Sequence, residues 1–131
     1  MTAWYPLLCG RTTSVTLREL QDAVRAGYTR VGAHAIREAA TDGHLIDEIW
    51  DAVLSDSTEI IEEYPTDPRG SSYLVYCEVH GQPEHVVVAY PSVLAAQRLR
   101  YPALVFMITC YCPTEPKYRS RWSVDYKRRQ S

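Results

Sequence analysis

The chain has 131 residues, of which 46% are hydrophobic and 23% are charged, and its formal net charge is −2 at pH 7. These values are typical of one soluble globular domain that buries its own core, and the net charge gives no whole-chain signature of nucleic-acid binding. No apolar run reaches the length of a membrane span and the N-terminus lacks a signal-peptide pattern, so we expect a cytoplasmic protein that does not enter a membrane.

Three helices are predicted in the first half of the chain. The first covers Thr16–Gly27, where Thr16 and Glu19 have the spacing of a capping box and apolar residues repeat at helical period. The second is short and runs from about His34 to Ala40, after the segment "YTRVG". The third lies around Asp47–Leu54, because apolar residues occupy one face of a helix there.

The second half of the chain has the β-branched and aromatic residues typical of strands. The segment "STEIIEEYP" predicts one strand. Tyr73–His80 and Glu84–Tyr90 predict a hairpin, because a turn containing Gly81 separates them. The segment "ALVFMITCY" predicts the last strand, which ends at Tyr111, and residues 91–103 before it are predicted to form a loop.

The order of these elements, with helices before sequential hairpin strands, predicts the α+β fold class. We expect N-terminal helices packed on a twisted, mostly antiparallel four-stranded sheet, in a single domain that covers residues 1–131. The basic stretch 117–131 is predicted to form a tail or a short helix anchored by Trp122.

Charge is distributed unevenly along the chain. Ten acidic residues and one base, Arg37, lie between His34 and Asp67, whereas six bases and one acid lie between Lys117 and the C-terminus. Such a division indicates either a self-complementary protein or a basic tail directed at an anionic partner. Charged termini that only contact solvent are a third explanation.

Familiar catalytic and cofactor motifs are absent from the sequence. It contains no phosphate-binding loop, no Gly-x-Ser-x-Gly, no His-Glu-x-x-His and no dinucleotide fingerprint. The four cysteines include no Cys-x-x-Cys pair, and the spacing of Cys110 and Cys112 is a poor match to zinc ligands. We therefore expect reduced thiols, no metal and no other cofactor.

Strand geometry brings two titratable rings together. In "HVVVAY", His85 shares a face with Val87 and Ala89, and the start of this strand lies near the end of the last one if the two are antiparallel neighbours. His85 and Tyr111 are therefore predicted to meet at one rim of the sheet, in a hollow open to solvent. His34, on a helix packed at that rim, would join them.

Such a hollow would suit cleavage of RNA by acid–base catalysis without a metal. Imidazoles transfer protons near neutral pH, and guanidinium groups bind phosphate. Structural explanations remain open for each ring. The sequence alone favours an exposed strand end for His85 and packing for Tyr111, and it is consistent with a helix cap for His34 and with surface turns for His44 and His80.

Several segments, in order along the chain, resemble a family of small bacterial proteins called domain of unknown function 4258. They are "AGYTRVGAHAIREA", "EIIEEYPTDPRGSSYLV", "GQPEHVVVAY", "ITCYCP" and the trailing Trp122 with its basic tail. The resemblance covers roughly Thr16–Lys127, and its most specific part runs from Glu59 to Val75. It implies a relation to the RelE/ParE-like toxins, whose helices pack on a twisted antiparallel sheet and which cut RNA without a metal.

The resemblance also implies a set of site residues. His34, His85 and Tyr111 match the family's helix histidine, strand histidine and terminal tyrosine, and they would be catalytic. Apart from the resemblance, the RNA-acting hypothesis predicts Arg37, Arg69 and Tyr73 as substrate-binding residues, although Arg37 lies one residue away from the family's arginine position. Two positions where the family usually has arginine hold Glu38 and Asp42 here, and the connection at 91–103 is longer than usual.

Two hypotheses about function follow. The first is a toxin-like protein that acts on RNA, a metal-independent endoribonuclease of the RelE/ParE-like type, with RNA or the ribosome as its partner. The second is a non-catalytic interaction module on a diverged toxin-like scaffold. Its acidic helical face or basic tail would bind a cognate antitoxin, the ribosome or a second copy of the chain in a homodimer.

Overall fold

The computed structural model describes residues 9–68, 70–91 and 104–113, and it confirms the α+β class. The helices are α1 (Cys9–Arg25), α2 (Ala33–Thr41) and α3 (Ile46–Val53). The strands are β1 (Thr29–Val31), β2 (Glu59–Tyr64), β3 (Ser72–Val79), β4 (Gln82–Ala89) and β5 (Val105–Tyr111). They form one sheet in the order β1-β5-β4-β3-β2, in which β1 is parallel to β5 and every other neighbouring pair is antiparallel.

The sheet has five strands, so the expected count of four is wrong. The additional strand, β1, has three residues and lies in the "YTRVG" segment that separates α1 from α2. Three residues are too few to display an alternating pattern, and the parallel partner Val105 of Thr29 is far away in the sequence. Only the tertiary structure reveals this pairing.

Helix α1 begins earlier than predicted. It starts at Cys9, so Thr16 lies inside the helix and the expected capping box of Thr16 and Glu19 is wrong. A threonine followed by a glutamate three residues later also occurs inside helices, so this spacing alone does not identify the first turn of a helix. The predicted bounds of α2 and α3 are correct to within one or two residues.

The predicted hairpin is confirmed, and its turn is tighter than expected. Val79 pairs with Gln82, which leaves His80 and Gly81 as a two-residue turn. Both have positive φ, 53° and 79°, which is the backbone geometry that connects antiparallel strands with the right twist. β4 therefore begins two residues before the predicted start at Glu84.

All three helices contribute to a core on one face of the sheet, which we call the helix-covered face. Because side chains alternate along a strand, this face carries every second residue of β3 and β4. Its strand residues are Val75, Cys77, Val79, Val86, Val88, Val105, Met107 and Cys110, and they pack with Leu20, Ala35, Ala39, Ile49, Trp50 and Val53. Leu74, His85 and Val87 lie on the opposite face.

Some predicted features lie outside the described residues. These are the loop after Pro91, the basic stretch 117–131 with Trp122, and Arg69. Within the described ranges, no helix is both long enough and apolar enough to cross a membrane.

Candidate functional site

The structure brings His85 and Tyr111 together. The two residues are direct partners in the register of β4 and β5, as the antiparallel arrangement predicted. Nδ1 of His85 lies 3.3 Å from the hydroxyl oxygen of Tyr111, within hydrogen-bond distance, and the ring centroids are 5.3 Å apart. Tyr76 approaches the same imidazole edge-on, with its ring centroid at 6.4 Å.

The environment of this pair differs from the expected open hollow. The exposed fraction of His85 is 0%. A strand end usually meets solvent, but the hairpin turn at His80 and Gly81 comes earlier in the chain than expected, so His85 is the fourth residue of β4 and not its first. The expectation of a solvent-open ring at the sheet rim is therefore wrong for His85.

His34 does not join His85. It is exposed on α2, whose buried residues Ala35 and Ala39 pack on the helix-covered face. His85 points to the opposite face, because its neighbour Val86 belongs to the core. Helix periodicity predicts which side of a helix is buried, but it does not predict on which face of the sheet that side packs.

The predicted substrate-binding residues are also separated from His85. Arg37 is exposed on α2. Tyr73 is half-buried and packs against the core on the helix-covered face, and its burial, followed by the nearby Glu63 carboxylate, raises the pKa of its phenol. The structure thus brings together two of the five predicted site residues that it describes.

A second group of titratable residues was not predicted. Glu84 has an exposed fraction of 0%, and its carboxyl oxygen Oε1 lies 3.7 Å from Nε2 of His44 in the α2–α3 connection. The side chain of His44 is only 13% exposed, although a surface position was expected. Neither oxygen of Glu84 makes a hydrogen bond of normal geometry within the described part of the chain, although the Asp42 carboxyl and the Cys110 thiol lie close to it.

Strand alternation contained the signal for this buried acid. Glu84 precedes His85, so it must share a face with Val86 and Val88. Those two valines are the apolar residues of a buried strand face. Extending the same two-residue period by one step toward the turn, from Val86 to Glu84, predicts a carboxyl group in the core.

A series of contacts between titratable side chains leads from Glu84 to the surface. The ring of His44 lies 6.4 Å from the ring of His80, the first residue of the hairpin turn. Nε2 of His80 is 2.7 Å from Oε2 of Glu48, whose other oxygen accepts a hydrogen bond from the backbone N–H of Leu45. The hydrogen bond from Leu45, followed by the one from His80, lowers the pKa of Glu48.

Burial has the opposite effect on Glu84. Desolvation, together with the negative charge of Asp42 at the end of α2, raises the pKa of Glu84 to about 8. Desolvation also raises the pKa of the Cys77 and Cys110 thiols to about 12. At neutral pH these three groups are therefore mainly protonated, and Glu84 is a neutral carboxylic acid inside the core.

The described residues offer no metal-ligand cluster. Within ranges 9–68, 70–91 and 104–113, no group of three or more His, Cys, Asp or Glu side chains is arranged to hold a metal ion. Cys77, Cys110 and Cys112 are free thiols, and the Cys110 thiol lies 3.6 Å from the backbone oxygen of Ala35, to which it donates.

A hollow lies between the end of α1 and α3, and we call it the α1–α3 hollow. Its volume is about 480 Å³, and its lining includes Trp50, Leu54 and Val24 together with the carboxylates Asp47 and Asp51. The guanidinium of Arg25 also lines the hollow, and it is engaged by Asp22 in an ion pair of 2.9 Å. Both aspartates are exposed, whereas Trp50 and Val24 are buried below them. Asp47 and Asp51 are four residues apart on α3, so they lie on the same side of that helix.

Comparison with known proteins places the chain in a family. Residues 31–93 match the family described as Domain of unknown function (DUF4258). The matched part contains His34, Glu84 and His85 but ends before β5, so it does not include Tyr111. No curated protein and no solved structure gave a match. The expected resemblance to the DUF4258 family is therefore confirmed for residues 31–93.

Proposed function

We propose that this chain is a non-catalytic interaction domain that binds a cationic segment of a protein partner through its acidic helical surface. One observation carries this proposal: His34 and His85, the two imidazoles expected to share proton transfer, belong to different layers of the fold. Cleavage of one phosphodiester needs an acid and a base within hydrogen-bond reach of the same substrate. The buried His85 and the exposed His34 do not provide this arrangement.

Electrostatics favours a positively charged partner. Ten acids and one base occur between His34 and Asp67, the segment that forms α2, α3 and β2. Glu38 and Asp42 stand where the family resemblance leads one to expect arginine, and a carboxylate repels a phosphate group. Asp42 also lies close enough to Glu84 to raise its pKa.

The α1–α3 hollow has the chemistry to receive one lysine or arginine side chain. The aliphatic part of such a side chain would lie against Trp50 and Leu54, and its charged end would reach Asp47 and Asp51. Two like charges four residues apart on a helix repel each other, and a bound cation relieves that repulsion. The negative end of the α1 dipole acts in the same direction.

This site leads to a binding prediction. We expect Asp47→Asn with Asp51→Asn to weaken binding of a hexa-arginine peptide by about tenfold, since the variant removes both negative charges from the hollow, leaves Arg25 in place and keeps the shape of the hollow. Isothermal titration calorimetry at low salt measures the change.

The matched control is Asp56→Asn, which removes an exposed acid outside the hollow. We expect it to change the affinity by less than about twofold. If both variants lose affinity equally, the peptide responds to overall charge and the hollow is not its site. If neither variant loses affinity, the acidic helical surface is not the binding surface.

The hydrogen-bond contact between His85 and Tyr111 favours a second candidate, a RelE/ParE-like endoribonuclease. Under this proposal the 3.3 Å contact would orient an imidazole for proton transfer, with RNA or the ribosome as partner. Gel analysis of RNA incubated with the pure protein tests it. Cleavage that Tyr111→Phe slows without unfolding the protein would support this candidate, and intact RNA from mildly acidic to mildly basic pH would refute it.

A further inference from the structure

The buried acid Glu84 joins three separate elements of the fold. It belongs to β4, it lies 3.7 Å from His44 of the α2–α3 connection, and it pairs in register with Cys77 of β3. The hairpin turn adds His80, which contacts Glu48 at the start of α3. The exposed fraction of the side chain increases along this series, from 0% for Glu84 and 13% for His44 to 67% for His80.

Two kinds of contact hold the hairpin against the α2–α3 connection. The outer one, between His80 and Glu48, is strongest when the imidazole is protonated, because the contact is then an ion pair. The inner one depends on Glu84 remaining neutral, since neither of its buried oxygens makes a hydrogen bond of normal geometry and the Asp42 carboxyl favours the neutral form more than the Cys110 thiol favours the ionised one. An ionised carboxylate without such bonds is costly to bury. Both contacts therefore weaken as the pH rises.

The other charged and titratable groups around Glu84 reinforce this direction. Asp42 faces it from the end of α2, and Cys77 and Cys110 flank it on β3 and β5. The Asp42 carboxyl group disfavours ionisation of Glu84, and neither thiol can carry a positive charge that would stabilise the Glu84 carboxylate. His44 is the one titratable group in contact with Glu84, among the described residues, that can become positive.

We propose that Glu84, His44, His80 and Glu48 form a proton-operated latch that keeps the α2–α3 connection closed over the hairpin at neutral and acidic pH and releases it at alkaline pH. Ionised Glu84 reaches water only if the α2–α3 connection moves away from β4. That movement exposes the neighbouring core thiol Cys77, which is inaccessible in the closed structure.

Alkylation of the native protein with iodoacetamide tests the latch, with mass spectrometry to report each cysteine separately. Cys112, which is half-buried and outside the latch, corrects for the general effect of pH on thiol reactivity. We expect the labelling rate of Cys77 relative to Cys112 to rise about tenfold or more between pH 6.5 and pH 9. In Glu84→Gln, which cannot ionise, we expect a rise of less than about threefold.

Two results would overturn the proposal. A relative labelling rate of Cys77 that stays constant with pH in the wild-type protein shows that no opening occurs, and this result does not depend on any variant. A rise of equal size in the wild type and in Glu84→Gln shows that another group drives the opening. The variant His80→Gln retains a hydrogen-bond donor but cannot become positively charged, so it removes only the ion pair from the outer contact, and we expect it to shift the opening to lower pH.

Discussion

Glu84→Gln is expected to raise the free energy of unfolding at pH 9 by roughly 2–4 kcal/mol and to leave it nearly unchanged at pH 5. The folded protein holds Glu84 as a neutral acid, because burial and the Asp42 charge raise its pKa from 4.5 to about 8. The unfolded chain releases that proton near pH 4.5. The folded state therefore binds more protons between these two values, and stability falls as the pH rises through that range.

The size of the effect follows from the same two pKa values. A difference between 4.5 and about 8 corresponds to an upper limit of about 5 kcal/mol. Glutamine has the shape of glutamic acid and cannot ionise, so it removes this penalty. Its amide also lacks hydrogen-bond partners there, which reduces the gain.

Urea unfolding at pH 5, 7 and 9 measures both proteins. Glu78→Gln is the matched control, because Glu78 lies on the neighbouring strand, is exposed and accepts a hydrogen bond from Tyr76 at 2.8 Å. We expect the difference in the free energy of unfolding between this control and the wild type to vary by less than about 0.5 kcal/mol between pH 5 and pH 9. If the free energy of unfolding changes with pH in the same way for Glu84→Gln and for the wild type, the assignment of Glu84 as a neutral buried acid is contradicted.

His85→Ala is expected to lower the free energy of unfolding by roughly 2–4 kcal/mol, whereas His34→Ala is expected to change it by less than about 0.5 kcal/mol. Both variants replace a histidine with alanine, so a difference between their effects on stability comes from the different surroundings of the two histidines. His85 is fully buried between Tyr76 and Tyr111, and its removal leaves a cavity and an altered Tyr111 contact. His34 is exposed on α2.

Thermal or urea unfolding near neutral pH measures this pair of variants. Tyr111→Phe adds a finer test, because it retains the ring and removes the hydroxyl group, and we expect a loss of about 1 kcal/mol. If His85→Ala is as stable as His34→Ala, then His85 has no structural role and a functional reason for its position must be found. Any activity measured for His85→Ala must be compared at equal folded fraction.

Local patterns predicted the parts of this fold that local physics determines. The hairpin of β3 and β4 followed from β-branched segments around a turn containing Gly81, and the partnership of His85 with Tyr111 followed from antiparallel pairing. Each depends on a repeat of two residues and a neighbouring strand. Such patterns need no knowledge of the rest of the chain.

Tertiary packing determined the features that the sequence did not predict. The strand β1 exists because it pairs with β5, more than seventy residues away along the chain. The separation of His34 from His85 depends on which face of the sheet α2 covers, and helix periodicity does not contain that information. The buried contact of His44 with Glu84 likewise requires the α2–α3 connection to lie over β4.

The sign of the partner's charge provides the most direct test of the proposed function. Fluorescence anisotropy, with the same protein preparation, can compare a labelled hexa-arginine peptide with a labelled single-stranded RNA over a salt series. We predict saturable binding of the peptide that weakens as salt increases, with neither binding nor shortening of the RNA. Binding or cleavage of the RNA, without binding of the peptide, would contradict an acidic interaction domain and would favour the ribonuclease.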